Sequence, residues 1–217
     1  MRRTSRFVAL ALLSLAAFAA TAGPAAACRL HSPPDAEGRW VVDDGQRKIG
    51  YRLSARPHPR FELRIEKPGA FVVCRNCPPG ATLGQGGGAL GLDLAGTTNI
   101  DARLYSTPES LRQELEREAS SKRMKIRPMS DPKEIALDAF KGWAAPLESG
   151  SEAEPGYRWK WAHLYGYLSD GCASIALHAS YPDLAHGPTS GPLPAAEEIM
   201  RQLADMLQSV AVARSDP

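Results

Sequence analysis

The sequence lacks any block of basic residues. With 26 Lys+Arg against 24 Asp+Glu in 217 residues it carries a formal charge of only +2, which leaves nucleic-acid binding without an electrostatic footprint. It also lacks an apolar run long enough to cross a bilayer, since the stretch from Phe7 to Ala20 falls short of the ~20 residues a spanning helix needs. No G-x-S-x-G, H-E-x-x-H, Walker loop or EF-hand pattern occurs, and the five histidines are scattered as His31, His58, His163, His178 and His186. No catalytic residue, metal or cofactor is therefore assigned. What is present is 43% apolar residues, enough for the core of one ordinary globular domain.

The first residues form a pattern of their own. Arg2, Arg3 and Arg6 precede the apolar run, and Ala25, Ala26 and Ala27 close it, as in a secretory signal peptide cleaved before Cys28. The paired Arg2-Arg3 hints at the twin-arginine route, but the usual flanking residues of such a signal are missing. Removing residues 1–27 leaves 23 Lys+Arg against 24 Asp+Glu, so the slight basic excess belongs to the export signal. A cysteine at that position also resembles a bacterial lipobox, although the usual Leu is missing from Ala25-Ala26-Ala27-Cys28. Lipidation would place the protein on a membrane and leave an odd number of thiols, whereas ordinary cleavage lets all four cysteines pair. The expected localisation is periplasmic or secreted, with a membrane-anchored lipoprotein as the alternative.

Residues 28–217 read as a single exported domain. Phe61-Glu62-Leu63-Arg64-Ile65-Glu66 alternates as a half-buried antiparallel strand, and Lys48 to Ser54 and Phe71 to Cys74 have strand character. Seven glycines between Pro78 and Gly96 predict a glycine-rich loop over 78–96, with a short strand at Leu90 to Leu94. Its literal G-x-G-x-x-G lacks the strand-to-helix context of a dinucleotide site. Ile100 to Ser106 reads as a strand, and Thr107-Pro108-Glu109 opens a helix with Leu111, Leu115 and Ala119 on one stripe. A short helix is expected over Pro132 to Phe140, a strand near Trp143 to Leu147, and a last helix over Ala195 to Val210. The pattern predicts an α+β fold, a mostly antiparallel sheet packed by two or three amphipathic helices. In the order of these elements the second half resembles PsbP-like α+β domains of exported proteins, a likeness of arrangement that transfers no functional residue.

Tyr157 to Tyr181 reads as a hairpin. Tyr157, Trp159, Trp161, His163, Tyr165 and Tyr167 occupy odd positions, and Arg158 and Lys160 occupy even ones. A two-residue Asp170-Gly171 loop would set His163 opposite His178, a pair able to hold a metal. A three-residue Ser169-Asp170-Gly171 loop sets Leu168 opposite Cys172 and His163 opposite Leu177. Keeping the aromatics with Ala173, Ile175, Leu177, Ala179 and Tyr181 favours the second register. The aromatic row then reads as core, or in part as the wall of a ligand pocket, with Trp159, Trp161, His163 and Tyr165 as candidate binding residues.

Cys74-Arg75-Asn76-Cys77 is the one short cysteine spacing. A reactive C-x-x-C needs a helix N-terminus at its first sulfur, and Pro78-Pro79-Gly80 cannot continue a helix. Pro78 also replaces the histidine of a haem-attachment motif. Structural disulfides follow, with Cys74 to Cys77 and Cys28 to Cys172 the preferred pairing. The sequence thus points to a non-catalytic exported envelope protein that binds a protein or small molecule, and the alternative is a thiol-disulfide oxidoreductase using Cys74 and Cys77.

Overall fold

Strict alternation of apolar and polar side chains recurs along the chain wherever a strand can bury one face. A computed structural model describes residues 28–66, 69–75, 89–99, 102, 104–122, 124–151, 161–180 and 193–215. Twelve strands and two longer helices lie among them, and every strand pair is antiparallel. Strands β1 (Arg29–Ser32), β2 (Arg39–Asp43), β3 (Lys48–Ala55) and β12 (Val210–Ser215) form one sheet in the order β1-β2-β3-β12. The larger sheet runs β4 (Phe61–Glu66), β5 (Gly69–Cys74), β6 (Ala89–Gly96), β11 (Ala173–Ser180), β10 (Trp161–Ser169), β9 (Phe140–Ser151), β7 (Met124–Pro128), with β8 (Lys133–Leu137) also paired to β9.

The main core lies between the two sheets. Trp40, Tyr51 and Leu53 from the small sheet meet Leu92, Leu164, Leu168, Ile175 and Leu177 from the large one. Helix α2 (Ala196–Gln208) adds Ile199, Leu203 and Met206, all fully buried. Trp40 stacks on Tyr51 at 5.3 Å between ring centroids, and Tyr51 meets Phe140 edge-on at 5.8 Å. The Tyr51 hydroxyl donates to Asp170 Oδ2 at 2.7 Å, and burial raises its pKa. Asp170 Oδ1 accepts from the backbone N–H groups of Cys172 and Ala173, fixing the β10–β11 turn.

Cys28 and Cys172 are joined in a disulfide that links β1 of the small sheet to that turn of the large one. Gly96 packs so closely on the Cys28 carbonyl that any Cβ there would collide with it, and Thr98 donates to the same carbonyl through Oγ1 at 2.7 Å. Cys28 is fully buried with its sulfur in the disulfide, so that sulfur cannot carry a lipid thioether, and the lipoprotein alternative is set aside. A disulfide of this kind marks an oxidising, extracellular-type compartment. Among the described residues no helix is long and apolar enough to cross a membrane.

The expected α+β arrangement is overturned: among the described residues the protein is mostly β, built of two antiparallel sheets, with two helices of more than one turn. The PsbP-like order of elements in the second half falls with it. Part of the difference is local. The segment expected as a helix over Pro132 to Phe140 is instead β8 and a turn into β9, because Asp138 takes a left-handed conformation at φ 53°. Tertiary bonds hold it there, since its carboxylate accepts from Val212 N at 2.6 Å and pairs with Arg56. Of the strand expected over Ile100 to Ser106, the described residues do not form one: Ala102 and Leu104 are helical, and Tyr105 and Ser106 lie in a turn. Strands β1, β2, β7 and β12 had no counterpart in the sequence reading; all are short, β7 and β12 gain their hydrogen bonds from partners well separated in the chain, and β1 and β2 pair within the β1-β2-β3 meander.

Candidate functional site

Helix α1 (Pro108–Ser121) begins as its sequence predicts. Thr107 caps it by accepting from Ser110 N at 3.1 Å, Pro108 stands in the first turn, and Leu111, Leu115 and Ala119 are buried. Leu111 and Leu115 pack on the outer face of the large sheet in a smaller second core with Trp143, Ala145, Leu147 and Tyr167. So narrow a contact leaves space beside the helix.

The hairpin register decides what fills that face. Ser169 pairs with Ser174, Leu168 with Ile175, Gly166 with Leu177, Tyr165 with His178, and His163 with Ser180. Both registers considered from sequence are therefore wrong, and the connection is longer, with Asp170 N donating to the Ala173 carbonyl. The physical reason is that even positions Ala162, Leu164, Gly166 and Leu168 are themselves small or apolar, and they join Ala173, Ile175, Leu177 and Ala179 in the main core. The charged even positions Arg158 and Lys160, whose parity suggested otherwise, lie outside the described residues, as does Trp159.

The odd row consequently shares its face with Ser174, Ala176, His178 and Ser180. Trp161 stacks on His163 at 6.4 Å, and the two histidine rings lie nearly parallel at 6.3 Å. His163 is thus a neighbour of His178 rather than opposite Leu177. Tyr165 leans on His178 at 4.8 Å and approaches Tyr105 at 6.4 Å. Trp161, His163 and Tyr165 are all half-buried on this face.

A hydroxyl–imidazole chain crosses the face. Ser149 Oγ lies 2.9 Å from His163 Nε2, Ser180 Oγ lies 3.1 Å from His163 Nδ1, and Ser180 Oγ is 3.4 Å from His178 Nε2. A neutral imidazole offers one donor and one acceptor, and hydroxyls on both sides can complement either tautomer. Burial, with a smaller contribution from His178, pushes His163 down to about 4. His163 is neutral at pH 7, and its second nitrogen meets a hydroxyl rather than an orienting carboxylate. Burial likewise lowers His178, while Asp93 acts to raise it. Burial, helped by the nearby Tyr105 and Glu118, pushes Tyr165 up to about 12.

The depressed histidine has a measurable consequence. Above pH 6.5 both folded and unfolded chains keep His163 neutral; between 6.5 and 4 the unfolded chain takes up a proton that the folded site refuses. Unfolding free energy should fall through that window as pH drops, and His163→Gln should flatten the dependence. Chemical denaturation at pH 7 and pH 5 checks this, and equal slopes for wild type and variant would count against it.

Beside α1 and continuous with this face lies a cavity of about 410 Å³. Its apolar lining includes Leu94, Ala102, Leu111 and Ala176, and its polar lining Asp93, Tyr105, Glu114, Glu118 and His178. A smaller hollow of about 130 Å³ under the C-terminal half of α1 is bounded by Leu115, Tyr165, His163 and Ser149. Asp93 was missed from the sequence, being absorbed into the glycine-rich loop, although the alternation of Leu90, Leu92 and Leu94 against Gly91, Asp93 and Ala95 marks the strand β6 and its second face.

Cys74 ends β5 and is disulfide-bonded, and no free cysteine occurs among the described residues; Cys77 lies outside them. Among the described residues no group of three or more His, Cys, Asp or Glu side chains is placed to hold a metal ion. Neither a protein-family model nor a curated protein matches this chain.

Proposed function

We propose that this protein is a non-catalytic, exported binding module that takes a small molecule in the cavity between α1 and the outer face of the large sheet. The observation that carries the reading is the cavity itself. Its volume of about 410 Å³ falls in the range of small-ligand sites, and an apolar lining with a few convergent polar groups is what such sites share. The aromatic row with Trp161, His163 and Tyr165 forms the adjoining floor, which gives a ligand extending past Leu115 flat apolar surface with polar tips. Export is supported by the signal-peptide pattern of residues 1–27 and by the disulfide that begins at Cys28.

The test is a ligand-observed NMR screen of small aromatic fragments against wild type and Ala176→Phe. Ala176 lies on the cavity floor, half-buried, so a phenyl group there fills the cavity without entering the main core. Fragments should bind wild type, and the variant should lose binding about tenfold or more with its melting temperature little changed. No binding to wild type, or equal binding to the variant, would overturn the reading. Mass spectrometry of the exported protein should find a chain beginning at Cys28 with a free amine, two mass units per disulfide below the reduced form.

A further inference from the structure

Strand β4 ends the large sheet, paired on one side to β5 and, among the described residues, to no strand on the other. In an antiparallel pair, alternate residues turn their N–H and C=O groups toward the partner strand and away from it. Arg75 N donates to the Arg60 carbonyl, which puts Glu62 and Arg64 at the positions bonded to β5. The backbone groups of Phe61, Leu63 and Ile65 therefore point out from the sheet edge. His58 Nδ1 accepts from Phe61 N at 3.1 Å, whereas the N–H groups of Leu63 and Ile65 meet no acceptor among the described residues.

Such an edge is a template for another strand unless a bulge, a proline or an inward-pointing charge blunts it. Strand β4 carries none of these. Its register with β5 is unbroken from Phe61 to Glu66, and Phe61, Leu63 and Ile65 all pack on the main core. The charged residues alternate with them, and Glu62 accepts from Arg64 Nε at 2.8 Å and from Arg75 Nε at 2.6 Å.

The order of charges is antisymmetric about Leu63. In Arg60-Phe61-Glu62-Leu63-Arg64-Ile65-Glu66, each acid on one side of Leu63 has a base equally far away on the other, and Phe61 is matched by Ile65. An antiparallel second copy with the two Leu63 residues opposite each other sets Phe61 against Ile65, Glu62 against Arg64 and Arg60 against Glu66, and the two-fold axis repeats every pair. Outward-pointing residues must face one another, so the adjacent registers centre on Glu62 or on Arg64. Centring on Glu62 sets Glu62 against Glu62 and Arg60 against Arg64. Centring on Arg64 sets Arg64 against Arg64 and Glu62 against Glu66. Of the three registers, the one about Leu63 alone avoids like-charge pairs.

We infer that β4 is a homodimer interface, at which a second copy of this chain adds its own β4 antiparallel across Leu63 and joins the two large sheets into one. The two Leu63 residues exchange N–H to C=O bonds, and Ile65 N donates to the second copy's Phe61 carbonyl. No residue lining the cavity beside α1 lies on β4, so each copy keeps its cavity. One pair of short strands buries less than the ~1,200 Å² of a standard interface, so the association is weak and depends on concentration.

Sedimentation equilibrium of the mature, disulfide-bonded protein from about 10 μM to about 1 mM should show a monomer converting to a dimer. Arg64→Glu sets like charges across the axis and should weaken association about tenfold or more, and Glu62→Arg should do the same. Mixing the two single variants should restore a dimer, as should the double exchange of Glu62→Arg with Arg64→Glu in one chain. A purely intrachain role for these side chains predicts neither recovery. Amide exchange followed by NMR should slow at Leu63 and Ile65 as concentration rises and stay unchanged at Arg64, whose N–H faces β5. A monomer at every concentration, variants that associate like wild type, or no recovery in the mixture and the double exchange would each overturn the inference. So would Leu63 and Ile65 amides already protected in the dilute monomer, since the chain itself would then cover the edge. If Glu62→Arg fails to fold, Arg64→Glu against the double exchange makes the same comparison.

Discussion

Replacing Cys28 and Cys172 together by alanine should lower the unfolding free energy by about 5 kcal/mol, because the bridge closes a loop of 144 residues in the unfolded chain. A loss of that size is a large fraction of the stability of a typical domain, ~5–15 kcal/mol. The structure adds a reason beyond chain entropy. The disulfide joins β1 of the small sheet to the β10–β11 turn of the large sheet, where Tyr51 also reaches across to Asp170. Removing it frees the edge strand β1, whose one hydrogen-bonded strand neighbour among the described residues is β2. Urea denaturation of wild type, the double alanine variant and reduced wild type measures the effect. Reduced wild type should lose at least as much as the double variant, because reduction also opens the disulfide at Cys74, and no measurable shift in the double variant would show that the remaining packing alone holds the two sheets together.

The second large effect separates the two faces of β10. Leu164→Ala should cost about 3 kcal/mol, since Leu164 is fully buried between the sheets and its removal leaves a cavity. Its neighbour His163, half-buried on the opposite face, should cost only about 1 kcal/mol when replaced by alanine, since the hydroxyls it leaves behind sit beside a hollow open to solvent. Equilibrium unfolding of the two single variants tests this, and a larger loss at His163 than at Leu164 would mean that the aromatic row rather than the leucine row is the core.

That contrast explains why the hairpin was hard to read. Alternation in Tyr157 to Tyr181 announces strands, and the Asp170-Gly171 turn announces where they reverse. Which face is buried depends on comparing two apolar rows, one aromatic and one of Ala, Leu, Gly and Leu, and burial on both faces of the strand leaves the periodicity of one chain unable to rank them. Packing ranks them, because the space between the sheets accepts Leu164 and Leu168 on the same face as Ile175 and Leu177, whereas the imidazole of His163 meets the hydroxyls of Ser149 and Ser180 on the other. The candidate residues Trp161, His163 and Tyr165 come together on one face, but Asp93, Glu114 and Tyr105 reach the same hollow from a strand, a helix and the segment before it, and no spacing in the sequence links them.

By itself the sequence determined the elements whose signals are local: the capped helix opened by Thr107-Pro108-Glu109, the alternating strand Phe61–Glu66 and the last amphipathic helix; for the cysteines it gave only a preferred pairing, of which the structure shows Cys28 with Cys172. Only the tertiary structure decided that the fold is two antiparallel sheets rather than an α+β layer, that Pro132 to Phe140 is a hairpin held by Asp138, and that a cavity opens beside α1. The physical reason is that strands such as β7 and β12 satisfy their backbone groups through partners far away in the chain, so their existence depends on contacts that no short window contains.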